Sequence, residues 1–306
     1  MKYPNQGFTK IKDVIREIEE SIRPAVKFLK PAFDGTPQKI ALGVITVYFI
    51  LAILGPVLAP SGPFETQYVE GSVASSHPPS WEHPLGTTQI GYSILSQMLY
   101  SFRVSMFVGV GAAIMTVFIG MNVGLISAYY GGLIDDIVMA VTDVFYGLPL
   151  YPFAIVFVTI LGRSDLNVVI VIGILVWRTI ARVTRSEALS IKEKEFVKAA
   201  RAAGSSDLKI MYWHILPNLI PIIVVYFIFG AIWGIMIEAS LSFLGLGDES
   251  TMSWGFMLRE VFEQVRFTTD WWWVIAPSVA LWVFIASLYV ISRGLENNIE
   301  VDFNEE

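Results

Sequence analysis

The chain has 306 residues, is 54% hydrophobic and only 16% charged, against roughly 25% charged in an ordinary soluble domain, and its mean hydropathy of +0.59 places it in a membrane. A net charge of -6, carried by carboxylates in the tail and outer loops, argues against nucleic acid as a partner. With no cysteine there is no disulfide, no thiol nucleophile and no thiolate metal site.

Residues 1–39 are polar and of mixed charge, and Ile11, Val14, Ile15, Ile18, Ile22 and Val26 recur within 8–30 at largely helical spacing. That pattern predicts a cytoplasmic amphipathic helix, lying on the membrane or packed on the chain's own cytoplasmic surface. The segment is too long and too acidic for a cleavable signal, so the apolar stretch at 40–59 is read as a retained anchor span. An outer segment, 60–104, is rich in Pro, Ser, Gly and His and long enough for a small plug or lip. Within it Trp81, Glu82 and His83-Pro-Leu-Gly-Thr87 read as a turn, and Ile94, Leu95, Met98 and Leu99 as an amphipathic piece at the outer interface.

Five further apolar stretches come at 105–128, 137–161, 167–183, 219–244 and 273–291, each near the ~20 residues that cross the hydrocarbon core. The expectation is an all-α membrane protein of six transmembrane helices, a compact core at 105–292 preceded by the anchor, with a tail at 293–306. Gly120xxxGly124 and Gly230xxxGly234 read as close-packing devices between helices. Trp271, Trp272 and Trp273 open the last span, where an interfacial belt is the first reading and an aromatic platform the second.

Basic residues orient the chain, because Lys and Arg near span ends stay on the cytoplasmic side. Eight lie in residues 1–39, eight between Arg178 and Lys209, and Arg293 in the tail, leaving only Arg103, Arg163, Arg259 and Arg266 outside. Both termini, the Tyr129-Tyr-Gly-Gly132 turn and the loop at 184–217 are therefore expected in the cytoplasm.

That loop is a charged island. Phe196, Ala199, Ala200 and Ala203 fall on one face of a helix kept out of lipid by Lys192, Lys194, Lys198 and Arg201. Gly204 breaks it, and Ser205, Ser206 or Asp207 is expected to cap a second helix over about 207–214, with Pro217 opening the next. The island reads as a docking surface.

Candidate chemistry is sparse. No Gly-x4-Gly-Lys-Ser/Thr loop, His-Glu-x-x-His or Gly-x-Ser-x-Gly motif occurs, and His77 and His83 are expected outside while His214 is inside. Two carboxylates fall at membrane depth, where ionisable groups are functional by default. Asp143 is read as structural or as a path residue; Glu238 either lines a water-filled path or accepts hydrogen bonds from a neighbouring helix. Arg178, Arg182 and Arg185 form one stripe, snorkelling at the membrane surface or meeting a cytoplasmic partner.

The chain resembles the inner-membrane permease subunits of ATP-binding-cassette importers, the dipeptide and oligopeptide type. The family pattern of Glu-Ala-Ala, three residues, Gly, nine residues, Ile, one residue, Leu-Pro is matched by Ala199, Ala200, Gly204, Leu216 and Pro217, with Lys198 in place of Glu and His214 in place of Ile. Further matches are Leu241-Ser-Phe-Leu-Gly-Leu-Gly247, Trp254-Gly-Phe-Met-Leu258, the outer His83-Pro-Leu-Gly-Thr87 and the Tyr129 turn, while Thr88-Gln-Ile-Gly91-Tyr92-Ser93 departs from the usual acidic continuation.

The resemblance implies a type I importer permease core of five spans plus an anchor, in the cell membrane. It implies that Glu195, Lys198, Ala199, Ala200, Gly204, Ser205, Ser206, Asp207, His214, Leu216 and Pro217 form a coupling loop against an ATPase. Implied partners are a second permease subunit, two ATPase subunits that hold ATP and Mg, an extracytoplasmic binding protein and membrane lipid. This chain itself is expected to bind no cofactor or metal. Peptides are the implied substrate; members in thermophiles and archaea carry oligosaccharides, which the charge-poor outer surface also suits. Rival classes are an ion-coupled secondary transporter, an intramembrane enzyme and an assembly factor, none of which accounts for the Gly204 island.

Overall fold

A peptide group in hydrocarbon has no water to bond, so long apolar stretches close their own hydrogen bonds as helices. The computed structural model describes residues 35–264 and 269–305, so the amphipathic helix read over 8–30 lies outside the described residues. In chain order the elements are α1 (Thr36–Leu58), the hairpin β1 (Tyr68–Val69) and β2 (Ser72–Val73), α2 (Ile94–Tyr130), α3 (Gly132–Gly147) and α4 (Leu150–Leu161). They continue with α5 (Asp165–Lys192), α6 (Glu195–Ala202), α7 (Asp207–Lys209), a π-helical turn (Ile210–Ile215), α8 (Leu216–Phe243), α9 (Trp254–Glu263) and α10 (Trp271–Glu305). Among the described residues five helices are long and apolar enough to cross a membrane, six if the bent pair α3–α4 is counted as one span.

Four expectations need correction. The helix that carries the second span begins at Ile94, ahead of 105, with the Ser93 hydroxyl accepting from the Ser96 amide. Ile94, Met98 and Phe102 are buried in one cluster with Trp254 and Met257, so the amphipathic piece is the N-terminal end of α2 rather than a separate helix. The third span is not straight: α3 and α4 meet at 93°. Leu148 precedes a proline and is extended (φ -77, ψ 124), a conformation that the pyrrolidine ring of Pro149 imposes on its predecessor. The second helix of the island does not stop near 214, because the helix runs on from Asp207 to Phe243. Pro217 has no amide hydrogen, and the turn before it widens so that the Leu216 amide donates five residues back to the Met211 carbonyl. Finally, the tail read at 293–306 continues α10 as far as Glu305.

Packing centres on α2. A Cβ added at Gly120 would lie 2.6 Å from the Trp177 carbonyl oxygen, and one at Gly124 would lie 2.4 Å from that of Ala181, so α5 touches α2 backbone to backbone. On the other side Gly234 sits against Gly109 and Ala112, and a Cβ at Gly109 would be 2.3 Å from Ile235. Both small-residue pairs act as packing devices. The anchor α1 joins at Gly55, pressed on the Leu99 carbonyl, and at Tyr48, whose hydroxyl donates to the Ala280 carbonyl at 3.0 Å while its ring stacks on Phe284.

The outer lip folds onto the start of α10. Ser76 donates to Asp270 at 2.7 Å, and Gly86, in left-handed conformation at φ +78, lies against the Trp272 ring. Trp273 is fully buried and only Trp271 is exposed, so the tryptophans divide between core and surface instead of forming a belt or a platform. The Leu241-Ser-Phe-Leu-Gly-Leu-Gly247 motif ends α8: Gly245 at φ +80 donates to Ser242, and Leu246 donates back to Leu241, the paired bonds of a glycine helix stop. The chain then returns through α9, where burial pushes the Glu260 carboxyl up to about 7, with Gln97 beside it pulling the other way.

Gly124→Leu would force α2 off α5, since the neighbour is backbone and cannot swing aside; overpacking of this kind costs about 1–3 kcal/mol. We expect a lower melting temperature of the purified protein, with Gly43→Leu, where nothing lies within 4 Å, as the unaffected control. Glu260 binds its proton more tightly folded than unfolded, so the stability it confers is lost as pH rises from the ordinary carboxylate range through about 7. Thermal melts between pH 5 and 8 should show that fall, and Glu260→Gln should flatten it.

Candidate functional site

The island folds as a short helix standing off the end of the bundle. Glu195 opens α6, and the helix ends where Gly204, at φ +80, donates to Arg201 and Ser205 donates back to Ala200. Val197 alone of α6 is buried. It joins Leu125, Ala128, Ile191, Ile210, Met211 and Ile215 in a small core at this end of the molecule. The stripe of Phe196, Ala199 and Ala203 points away from that core; Phe196 is 41% exposed. An apolar stripe is thus left outside while Val197 packs inward.

Electrostatics holds the island in place. Tyr129, buried at the end of α2, donates its hydroxyl to Asp207 at 2.6 Å, with the Arg201 guanidinium 5.5 Å from its ring centre and Lys192 5.9 Å. Lys192 in turn donates to the Ala128 carbonyl at 3.0 Å. Asp207 is thus engaged by Tyr129 rather than capping its own helix, and at the N-cap Ser206 only its backbone carbonyl accepts, from Ile210. Lys198 pairs loosely with Glu193 at 3.6 Å and Glu195 at 3.9 Å, all three well exposed, an interaction worth about 0–1 kcal/mol. His214 lies in the π-helical turn, where its carbonyl accepts from Asn218 at 2.8 Å; Leu216 and Pro217 open α8. The Tyr212 hydroxyl donates to Asn122, tying that turn to α2.

The arginine stripe neither snorkels nor waits for a partner as a unit. Arg185 grips both oxygens of Asp135, Nε to Oδ1 at 2.6 Å and Nη2 to Oδ2 at 2.5 Å, and Ser127 adds a third donor. Arg182 pairs with Asp143 and lies over the Tyr146 ring at 3.8 Å. Arg178 donates through Nη1 to the carbonyls of Phe145 (3.2 Å) and Leu175 (2.7 Å). Together they fasten α3 along α5 in reverse chain order, down to the bend before α4. Asp143 is 63% exposed and serves this fastening. Glu238 is 2% exposed, and its Oε1 accepts from Ser242 of its own helix at 2.7 Å, not from a neighbour. Neither carboxylate lines the cavity of about 270 Å³ that opens between α2, α4, α5 and α8, whose wall includes Thr116, Arg178, Tyr226 and Trp233.

Tyr129 and Asp135 carry much of this geometry, yet sequence reasoning assigns Asp135 no role and sees Tyr129 only within a turn. A usable signal exists: Asp135 and Asp143 share one short helix, and three arginines repeat on the next but one, a complementary spacing across antiparallel segments.

The chain matches, over residues 117–301, the family of binding-protein-dependent transport system inner membrane components. Among curated proteins it is 28% identical over 302 residues to the dipeptide transport system permease protein DppC of Bacillus subtilis (strain 168), covering 97% of this chain and 93% of that one. It is 32% identical over 265 residues to DppC of Alkalihalophilus pseudofirmus, 85% of this chain and 84% of the other. It is 30% identical over 293 residues to the oligopeptide transport system permease protein OppC of Haemophilus influenzae, 95% of this chain and 93% of that protein.

Removing one partner of the half-buried Arg185–Asp135 pair leaves the other charge without its bidentate contact. Asp135→Ala and Arg185→Ala should each destabilise the protein, and the double variant should lose less than their sum, by a coupling of about 1–3 kcal/mol in a melting cycle.

Proposed function

The chain belongs to the binding-protein-dependent transport system inner membrane components, and on that premise we propose that it is the transmembrane permease subunit of an ATP-driven importer of di- and oligopeptides. The observation that carries the mechanism is the outward apolar stripe of α6, on a helix whose one buried residue is Val197. Eight residues make a peg roughly 12 Å long, a fit for a groove on an ATPase subunit. The chain has no phosphate-binding loop, so ATP and Mg belong to that partner. Two such ATPases, a second permease and an extracytoplasmic binding protein complete the importer, with both termini of this chain cytoplasmic as the lysine and arginine asymmetry requires.

Closure of the ATPases would move α6 as a rigid peg, and its anchors decide where that motion goes. Val197 and the Tyr129–Asp207 bond pass the displacement to α2, while α5 carries it to α3 through the arginines. Rigid elements with two packed arrangements switch between inward-open and outward-open states in this way. Peptides are the proposed cargo because DppC and OppC, similar over nearly their whole length, are named for dipeptides and oligopeptides.

Gly204→Asp strains a left-handed turn, and Ala200→Glu puts a charge on the docking face. In either variant the chain should remain in the membrane with its second permease, while ATP-dependent peptide uptake by the reconstituted importer falls about tenfold or more, the scale of a lost interface hot spot. Full uptake by both would refute the docking assignment.

A further inference from the structure

Arg178 differs from its neighbours on the stripe. Arg182 and Arg185 each face a carboxylate; among the described residues none pairs with Arg178. Its Nη1 is satisfied by two carbonyls and its guanidinium carbon lies 5.1 Å from the Tyr146 ring centre, but the Nε and Nη2 edge, the edge with which Arg185 grips Asp135, makes no hydrogen bond among the described residues. An arginine inside a span is costly unless paired or facing a polar space. Arg178 stands 13 residues after Asp165 (178 minus 165) in a helix of 28 residues, roughly 20 Å from its outer end and about half-way along it.

The space it faces is the cavity between α2, α5 and α8. Thr116 belongs to its wall but is 1% exposed, and Arg178 is the charged group that the cavity can offer. Tyr226 and Trp233 supply an aromatic side. At about 270 Å³ it is smaller than the ~300–1,000 Å³ of a site that encloses a whole small molecule, so it suits one end of a longer ligand. A free guanidinium edge matches a planar anion with two acceptor oxygens.

We propose that this cavity is a way-station for peptide in transit, in which the Nε and Nη2 edge of Arg178 takes the C-terminal carboxylate and the aromatic wall takes the adjoining side chain. The inference rests on the peptide-importer reading and deepens it: a neutral sugar has no charged planar group for this edge, whereas an unmodified linear peptide has one. Arg178 is then a specificity residue inside the membrane, acting after release from the binding protein.

The test uses the complete importer in proteoliposomes with its binding protein and ATP. A mixed pool of di- to hexapeptides is supplied as free acids or with amidated C-termini, and uptake of each form is normalised to its occupancy of the binding protein. Wild type should favour the acids about tenfold, the scale of a charge-assisted bidentate contact. Arg178→Gln should abolish that ratio, and Arg178→Lys, which keeps the charge but not the fork, should retain part of it. Equal loss of both forms in Arg178→Gln would mark a structural role and overturn the proposal, as would a wild-type ratio near one, which stands even if a variant fails to assemble. Uptake of neither pool by wild type would instead refute the peptide reading itself.

Discussion

Everything in this molecule hangs on the close contact of α2 with α5 and α8. Lipid tails are as apolar as leucine, so water does not press these helices together; dispersion and small residues that let backbones meet must do so. Gly120 and Gly124 admit carbonyls of α5 to within what a methyl group would occupy, and Gly109 does the same for Ile235 of α8. Because α2 is a single helix of 37 residues, these contacts tie both ends of the molecule to one rod. Its N-terminal end packs on Trp254 and Met257; its C-terminal end offers Tyr129 to the α6 island.

Charge is arranged around that rod in two ways. Where a cation can reach a carboxylate of the same chain in a half-buried setting, as Arg185 reaches Asp135, the pair is bidentate and holds a broken span in place. Lys198, which stands in water, makes only long pairs, worth little. The island is therefore positioned by a few buried contacts beneath it and keeps its outer face free, which is what a surface for a separable partner requires. The family match begins within α2 at residue 117, but the packing does not: α1 and the outer lip are joined to the remainder through Gly55, Tyr48 and Asp270.

Which stretches are helical and apolar enough to span, that glycine pairs bring helices close, and that a short amphipathic helix ends at Gly204 were all legible in the order of residues alone. Each is local: transfer from water, helical periodicity and the left-handed freedom of glycine are properties of a segment and travel with it. Folding had to settle that α2 starts at Ile94, that Trp273 is core, that Glu238 is answered by Ser242, and that two arginines of one stripe find carboxylates while the third does not. Those outcomes depend on which faces meet. The same amphipathic face over 94–99 suits an interface or a core, and the same arginine suits lipid headgroups or an aspartate, until a neighbouring helix removes one of the choices. Even the bend at Leu148, with Pro149 in plain view, needed that neighbour: proline permits the break, and the grip of α5 on α3 holds it in place.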